Sequence, residues 1–463
     1  MRRLSVVDEI FLRTHRGMGT PIALQGLWRT GDPVAPAELH RLHEALRGGP
    51  LGRRVERSRV PGARAQWRRN ESAHPIGFAP APLAPAEVVR WAETLGEDLD
   101  PAREPGWRLA AAPVTDGGTV VALTCSHVLA DARGLIIAAE QALAVLTGGR
   151  GEPDRAPVAG PDPTSVADRA GGAEQGREQS AEPTGGPVAG LLQSDWADAA
   201  WVWGRVLRGT SRAAVQGVRG ASHAAGRGNG APDLSDTNLS NLPAAGTSNL
   251  PVSGLILRCS AAEWERIAAE SGGTANSLFI WLVAQTLWAA GFPRDRIAAS
   301  LPVDTRDEPR VDNDLAVTEI VLRPTDGPAA IRAKSRAAYE YRMSSPAGLP
   351  EEFLHLVPDR VAYRLSRGAG ERDILCSNIG VIPPALHMFG THECTGVATR
   401  AIHPGLTYGG RPRTRLSGYL CRYRDDYILT LAGLYPERVA DSGALHRFVT
   451  GIAARAGLPL APW

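Results

Sequence analysis

The 463-residue sequence lacks the features that mark secreted, disulfide-linked or nucleic-acid-binding proteins. Its five cysteines are scattered, none has CxxC spacing, and an odd number suits a disulfide framework poorly. We therefore expect reduced thiols and a cytoplasmic protein. The formal net charge is only +2, which argues against a nucleic-acid partner.

Long apolar runs are absent as well. No stretch approaches the roughly 20 apolar residues that span a bilayer. The first residues contain two arginines but no long apolar segment, so no signal peptide is expected. What the sequence does have is 43% hydrophobic residues, enough to bury sizeable cores in two or three domains.

Two low-complexity stretches interrupt the chain. Residues 147–187 and 219–250 consist mainly of Gly, Pro, Ala and charged residues, with little to bury, which predicts disordered linkers. The predicted organisation is an N-terminal domain at 1–147, a linker at 148–250 and a C-terminal domain at 251–463.

One amphipathic helix is predicted inside this linker. Its apolar side chains recur at helical spacing: Leu192, Trp196, Ala199, Trp203, Val206 and Leu207. Tryptophan beside arginine favours a membrane interface, whereas a connecting helix commonly packs on the protein's own surface. We favour the second reading and leave peripheral membrane contact open.

Both halves mix strands and helices, which predicts an α/β (α+β) fold. Helices are expected at 35–46, 134–146, 260–271 (opened by a serine cap) and 275–291. Strands are expected at 119–125, 254–260, 427–435 and 296–306, the last of them breaking at Pro302.

The segment "LTCSHVLADARGL" at 123–135 is the main candidate for chemistry. An apolar strand ends by delivering Ser126 and His127 to the rim of a sheet, and Asp131 follows in a tight turn. An imidazole titrates near neutral pH and can serve as a general base, while Asp131 is better placed to fix the loop by an ion pair. Alone, this pattern is weak evidence for a catalytic site, since an ordinary histidine at the start of a helix gives the same sequence pattern.

Two segments of the second half strengthen this candidate. Arg306 follows a strand and can satisfy a buried carboxylate such as Asp131 through two hydrogen bonds, although an arginine in a charged loop is also an ordinary surface residue. Ser377 and Asn378 interrupt a later strand, where they could donate hydrogen bonds to a substrate carbonyl. The alternative for these two is a β-bulge or strand end.

In this order, the three segments resemble the chloramphenicol-acetyltransferase-like superfamily. That superfamily includes nonribosomal-peptide condensation domains, plant BAHD acyltransferases, polyketide-associated acyltransferases and wax ester synthase/diacylglycerol acyltransferases. The segments "LSVVDEIFLRTHRGMGTPIALQGLW", "LDPAREPGWRLAAAPV", "TANSLFIWLVAQTLWAAG", "LPVDTR…DN" and "CSNIG" also look like their counterparts in the wax ester synthase group.

The resemblance implies two acetyltransferase-like subdomains facing across a substrate tunnel. His127 matches the second histidine of the family's HHxxxDG motif, the base; Asp131 matches its structural aspartate and Arg306 the arginine that pairs with it. Three positions depart from the family pattern. Ser126 replaces the first histidine, Ala132 replaces a glycine, and Asp312 precedes Asn313 where the family has Gly-Asn. Ala132 would be strained if the loop required a positive φ.

The expected function is transfer of an acyl group from a CoA or carrier-protein thioester to an alcohol or amine, with His127 as base. Ser126, Ser377 and Asn378 are candidate carbonyl contacts. We expect neither a tightly bound cofactor nor a metal: His387, His392, Cys394 and His403 match no zinc pattern. Two alternatives stay open, a non-catalytic scaffold that binds a carrier protein and a wax ester or triacylglycerol synthase at a lipid surface.

Overall fold

The computed structural model describes residues 2–15, 20–148, 194–206, 248–340 and 371–463. Within these ranges the chain forms two main β-sheets with helices packed on them, a mixed α/β fold. Most of both predicted linkers lies outside the described residues, so the three-part division of the chain stays a prediction.

The elements of the described ranges are as follows. Helices are α1 (Val6–His15), α2 (Pro36–Gly48), α3 (Val88–Glu93), α4 (Ala132–Leu146), α5 (195–206), α6 (Ala261–Glu270), α7 (Ala275–Ala289), α8 (Pro328–Glu340) and α9 (Ser442–Arg455). Strands are β1 (Ala23–Thr30), β2 (Arg53–Glu56), β3 (Gln66–Arg69), β4 (Gly77–Phe78), β5 (Trp107–Pro113), β6 (Thr119–Ser126), β7 (Ser253–Ser260), β8 (Ile297–Asp304), β9 (Leu315–Leu322), β10 (Ile374–Val381), β11 (Met388–Phe389), β12 (His392–Ile402), β13 (Leu416–Tyr423), β14 (Asp426–Gly433) and β15 (Ala461–Pro462).

The first sheet has the strand order β11-β12-β1-β6-β5-β4. Every residue of β6 is buried, as expected for a nearly continuous apolar run that is covered on both faces. Helices α2 and α4 pack together over this sheet, and α2 directs Leu39, Leu42 and Leu46 inward at helical spacing. The end of β6, where His127 follows, is therefore held at the centre of a rigid layer.

The second sheet has the order β15-β7-β14-β13-β10-β8-β9. It is covered by α7, which is apolar on nearly all sides and is correspondingly buried. Thr274 caps this helix by accepting a hydrogen bond from the backbone N–H of Ser277, and Gly291, with a φ of 84°, follows its end. Ser260 occupies the N-cap position of α6, but its side chain accepts no helix N–H.

The two sheets are interleaved in sequence. Strands β11 and β12 follow β10 along the chain, yet they belong to the first sheet, where β12 pairs with the whole length of β1. The chain thus passes from the second sheet back to the first. The loop between β8 and β9, residues 305–314, also reaches the first sheet and contacts the turn after β6.

The prediction that the strand breaks at Pro302 is wrong. Strand β8 continues to Asp304, and Pro302 pairs with Val317 of β9. Proline is tolerated here because β8 pairs with β10 only as far as Ser300. Beyond that residue, β9 is the one strand of the described ranges that flanks it.

Helix α5 packs on the hairpin formed by β2 and β3. The carboxylate of Asp198 accepts a hydrogen bond from Arg64 Nη2 at 2.7 Å, and Asp195 lies 2.6 Å from Arg3 Nη2. Trp196 and Trp203, seven residues apart and so on one face of the helix, remain 72% and 48% exposed. The helix therefore lies on the protein's own surface with two tryptophans facing outward.

Candidate active site

His127 lies in the turn that follows β6. Its backbone N–H donates to Ile22 O at 3.2 Å, and the N–H of Leu129 donates to Ser126 O at 2.9 Å. Both neighbours of β6 in the sheet, β1 and β5, pair with it up to its last residues. The position of the imidazole is consequently fixed by the sheet rather than by a mobile loop.

Asp131 holds this turn to the other half of the chain. It is the N-cap of α4, and its Oδ1 accepts from Gly134 N at 2.8 Å. Its Oδ2 accepts from the backbone N–H of Asp314 at 2.9 Å, and Arg306 Nη2 donates to Oδ1 at 2.6 Å. Every contact of this carboxylate therefore stabilises the loop, and none leaves it free to act on a substrate.

Arg306 is the cation of that buried pair. Its side chain is 5% exposed and that of Asp131 is 6% exposed. The guanidinium also donates to Arg310 O at 3.0 Å and to Asp304 Oδ1 at 2.6 Å, so each of its nitrogens has an acceptor. Because both partners have lost most of their water, removing either would leave an uncompensated charge.

The alanine at position 132 is not strained. Among the described residues, Arg424 is the one non-glycine residue with a positive φ, and Ala132 is the first helical residue of α4. The close approach occurs instead at Gly134. A Cβ there would lie 3.3–3.4 Å from Ala130 Cβ, Asp131 Oδ1 and Asp312 O, all tight contacts.

Asn313 is the residue that most directly contacts the candidate base, and our sequence-based site did not include it. Its Oδ1 lies 3.0 Å from His127 Nδ1. Its Nδ2 donates to Asp8 Oδ1 at 2.9 Å, to His127 O at 2.8 Å and to Val128 O at 3.2 Å. Asn313 and His127 are 186 positions apart, and no sequence spacing predicts their contact. The one sequence feature that pointed to this position was the Asp-Asn pair after "LPVDTR", where the family has Gly-Asn.

Phe11 covers one face of the imidazole. The two rings stack with centroids 3.7 Å apart and planes inclined by 14°. Burial lowers the pKa of His127 below its ordinary value, although its own backbone carbonyl, Asp131 and Asn313 oppose the shift. The imidazole is therefore neutral near pH 7, and no hydrogen bond from the described part of the chain engages its Nε2.

Asp312, which replaces a glycine of the family pattern, is neutralised by arginine. Arg53 Nη1 donates to Asp312 Oδ1 at 2.8 Å, and Arg2 forms an ion pair with Oδ2. The same Arg53 donates to Leu129 O at 2.5 Å and lies 4.1 Å above the Trp67 ring. The aspartate at position 312 therefore adds ion pairs between the N-terminal and C-terminal halves of the chain, close to His127.

The three candidate carbonyl contacts are not gathered around the imidazole: Ser126 is buried in the same turn, and the other two lie in the second sheet. Ser126 is 1% exposed, and its Oγ accepts from Val128 N at 3.4 Å within the turn. Ser377 and Asn378 lie in β10, which continues past them with a bulge at Asn378 and a φ of 81° at Gly380. Asn378 donates to Asn276 Oδ1 at 3.2 Å, and within the described ranges no hydrogen bond links it to His127.

The histidines of residues 387–403 serve separate purposes in the structure. His392 contacts Asp32 and Glu38 at 2.9 and 2.7 Å. Burial alone would lower its pKa, but the hydrogen bonds and charges of the two carboxylates together outweigh burial and raise the pKa. His387 contacts Ile382 O at 3.1 Å and His403 contacts Pro21 O at 2.9 Å.

No protein-family model and no curated protein matches the sequence, but solved structures do. The first condensation domain of the CDA synthetase superposes with a TM-score of 0.57 at 16% identity, over 100% of this chain and 98% of that one. A variant of the starter condensation domain of rhizomide synthetase, in complex with C8-CoA, gives 0.52 at 13% over 100% and 96%. The wax ester synthase/diacylglycerol acyltransferase from Marinobacter aquaeolei VT8 gives 0.51 at 13% over 99% and 100%.

These full-length likenesses establish the fold. The chain has the α/β fold of the chloramphenicol-acetyltransferase-like proteins, and the fold predicted from the motifs is confirmed. The matching proteins are condensation domains and acyltransferases. Within the described residues, no helix is long and apolar enough to cross a membrane.

Proposed function

We propose that the protein is an acyltransferase in which Nε2 of His127 is the general base. The observation that carries this proposal is the state of the imidazole. Its Nδ1 is engaged by Asn313, burial keeps it neutral, and Nε2 is without a hydrogen-bond partner among the described residues. A neutral, oriented imidazole with one unengaged nitrogen is the arrangement that proton abstraction requires.

The reaction balances with a thioester and a hydroxyl or amine as the two substrates. Nε2 takes the proton of the O–H or N–H group as its oxygen or nitrogen attacks the thioester carbonyl. The C–S bond then breaks, and the leaving thiolate takes the proton back from Nε2. The products are an ester or amide and a free thiol. Positioned base catalysis of this kind contributes roughly 10²–10⁴ in rate.

For the donor we propose a CoA or carrier-protein thioester. The support is that the starter condensation domain of rhizomide synthetase, which shares this fold, is bound to C8-CoA. Asn378 is the proposed contact for the carbonyl oxygen, since its side chain is exposed at the bulge of β10 and one of its two amide N–H groups is not used by Asn276.

A lipid-surface enzyme is the second candidate, favoured by the exposed pair Trp196 and Trp203 on α5. Tryptophan side chains partition to the interface of a bilayer, so a face carrying two exposed tryptophans could rest on a lipid surface. Sedimentation with phosphatidylglycerol vesicles tests it. Loss of binding in a Trp196→Ser/Trp203→Ser variant supports it, and equal recovery in the supernatant with and without vesicles contradicts it.

The proposed function is tested by incubating the protein with a panel of acyl-CoA thioesters, each with an alcohol and an amine, and measuring product masses. An acyl ester or amide that appears only with active protein supports an acyltransferase. Carrier-protein binding without any product, over the whole panel, would instead indicate the non-catalytic scaffold.

A further inference from the structure

Helix α1 contributes two side chains to the surroundings of His127. Asp8 and Phe11 are three residues apart and lie on one face of this helix. Phe11 stacks on the imidazole, whereas Asp8 reaches the amide of Asn313. The sequence alone indicates no contact of either residue with the candidate base.

In sequence, Asp8 reads simply as a helix cap. Ser5 Oγ accepts from Asp8 N at 3.0 Å, and Asp8 Oδ2 accepts from Ser5 N at 2.9 Å, a reciprocal arrangement typical of helix starts. That arrangement uses one carboxylate oxygen. The other, Oδ1, points away from the helix start to Asn313, and the side chain is only 1% exposed.

The contacts of Asn313 determine which way its amide faces. Three acceptors surround Nδ2: Asp8 Oδ1 and the backbone carbonyls of His127 and Val128. Turning the amide over would place its oxygen against these three oxygens, which is unfavourable. The amide oxygen must therefore face Nδ1 of His127, and an oxygen in that position requires a proton on Nδ1.

We propose that Asp8 is a positioning residue which, through Asn313, holds His127 in the Nδ1–H tautomer and leaves the lone pair of Nε2 available. This role rests on the proposed function only for its catalytic consequence, since the tautomer itself is a property of the free protein. Oδ1 of Asp8 is the one side-chain acceptor among the three and helps to set the amide's orientation. Without it, two neutral carbonyls remain, and the Nε2–H tautomer, which predominates in free histidine, becomes accessible.

The tautomer can be measured directly without substrate. In protein labelled with ¹³C and ¹⁵N at its 11 histidines, ring nitrogen and Cδ2 chemical shifts distinguish Nδ1–H from Nε2–H, and loss of one signal in His127→Gln assigns His127. The wild type should show the Nδ1–H form. Asp8→Ala should move the signal towards Nε2–H.

Two further variants secure the interpretation. Asp8→Leu replaces a buried carboxylate with an apolar group of similar volume and is expected to fold if Asp8→Ala does not. Asp373→Asn is the matched control, because Asp373 is equally buried, 4% exposed, but accepts from Ala298 N in the second sheet, away from the site. It should leave the His127 signal unchanged. An Nε2–H signal in the wild type, or an unchanged signal in a folded Asp8 variant, overturns the proposal.

Kinetics separate this role from a merely structural one. Asp8 is 1% exposed and contacts Asn313 rather than the imidazole. Its removal should therefore lower kcat by roughly 10- to 100-fold, part of the contribution of a positioned base, with KM unchanged. A raised KM at constant kcat would contradict the role. A wild type without acyltransferase activity would refute the proposed function and leave the tautomer result standing.

Discussion

Arg306 and Asp131, 175 residues apart in sequence, form an ion pair in which both side chains are at most 6% exposed. The pair joins the N-terminus of α4 to the loop after β8, and so ties the two sheets together beside His127. The roles of the candidate site are divided accordingly: the carboxylate and guanidinium hold the loop, and the imidazole between them and α1 is left for chemistry.

Breaking this pair should destabilise the fold. Arg306→Ala leaves the Asp131 carboxylate buried without its cation, which we expect to lower the free energy of unfolding by roughly 3–5 kcal/mol. Urea denaturation followed by tryptophan fluorescence measures it. The exposed cation Arg266, paired with Glu263 and Glu270 on α6, is the control. Arg266→Ala should leave the free energy of unfolding nearly unchanged, because solvent screens an exposed ion pair. Similar losses for both variants would contradict the structural role of Arg306.

Exchanging the glycine and alanine of the α4 start should be unfavourable at both positions. Ala132→Gly puts a flexible residue in a helical position and should cost about 0.5–1 kcal/mol. Gly134→Ala forces a Cβ against the chain at Asp312 O and should cost more. Thermal unfolding of the two variants checks this. A more stable Ala132→Gly would mean that the turn prefers the positive φ that glycine adopts.

The pH dependence of turnover should follow the lowered pKa of His127. The base is active when neutral, and burial lowers its pKa below the ordinary value of about 6.5. Activity should therefore persist as the pH falls below 6.5 and decline only at the lower pKa. Measurements of kcat/KM from about pH 4.5 to pH 8, the range in which histidine titrates, provide the test. A midpoint above 6.5 would mean that His127 is charged in the resting protein.

His403 should contribute to acid sensitivity. Burial lowers the pKa of this imidazole to about 4, against a smaller opposing effect of the Pro21 carbonyl. Between pH 6.5 and about 4 the unfolded chain binds a proton that the folded chain does not, so the free energy of unfolding falls as the pH falls through this window. The full shift corresponds to roughly 3 kcal/mol.

Denaturation of wild type and His403→Gln at several pH values isolates that contribution. The stability difference between the two proteins should shrink or reverse towards acid pH, because glutamine takes up no proton. A difference that stays constant with pH would show that His403 is not the group responsible.

The sequence predicted the fold through local patterns and motif order. The apolar run of β6 and the helical spacing of α2 and α7 are decided by their own residues and match the structure. The predicted strand break at Pro302 was wrong because a strand can accommodate proline where it lacks a second neighbour. The residue at which β8 and β10 stop pairing is a property of the tertiary structure and is not encoded in a local sequence pattern.

Within the candidate site, the contact between Arg306 and Asp131 could be predicted from the sequence because a buried carboxylate requires a cationic partner. Asn313, Phe11 and Asp8 were not. Their relation to His127 depends on how α1 and the loop 305–314 meet over the end of β6, and each has an ordinary local explanation as a loop, core or capping residue. Contacts of this kind become visible only when the tertiary structure is known.

If His127 is the general base of acyl transfer, replacing it should slow the release of free thiol from a thioester in the presence of an acceptor. His392, which pairs with Asp32 and Glu38 away from the site, supplies the control. His127→Ala should lower the rate by roughly 10²–10⁴, while His392→Ala keeps the wild-type rate. Equal rates in His127→Ala and wild type, with both folded, would contradict the account.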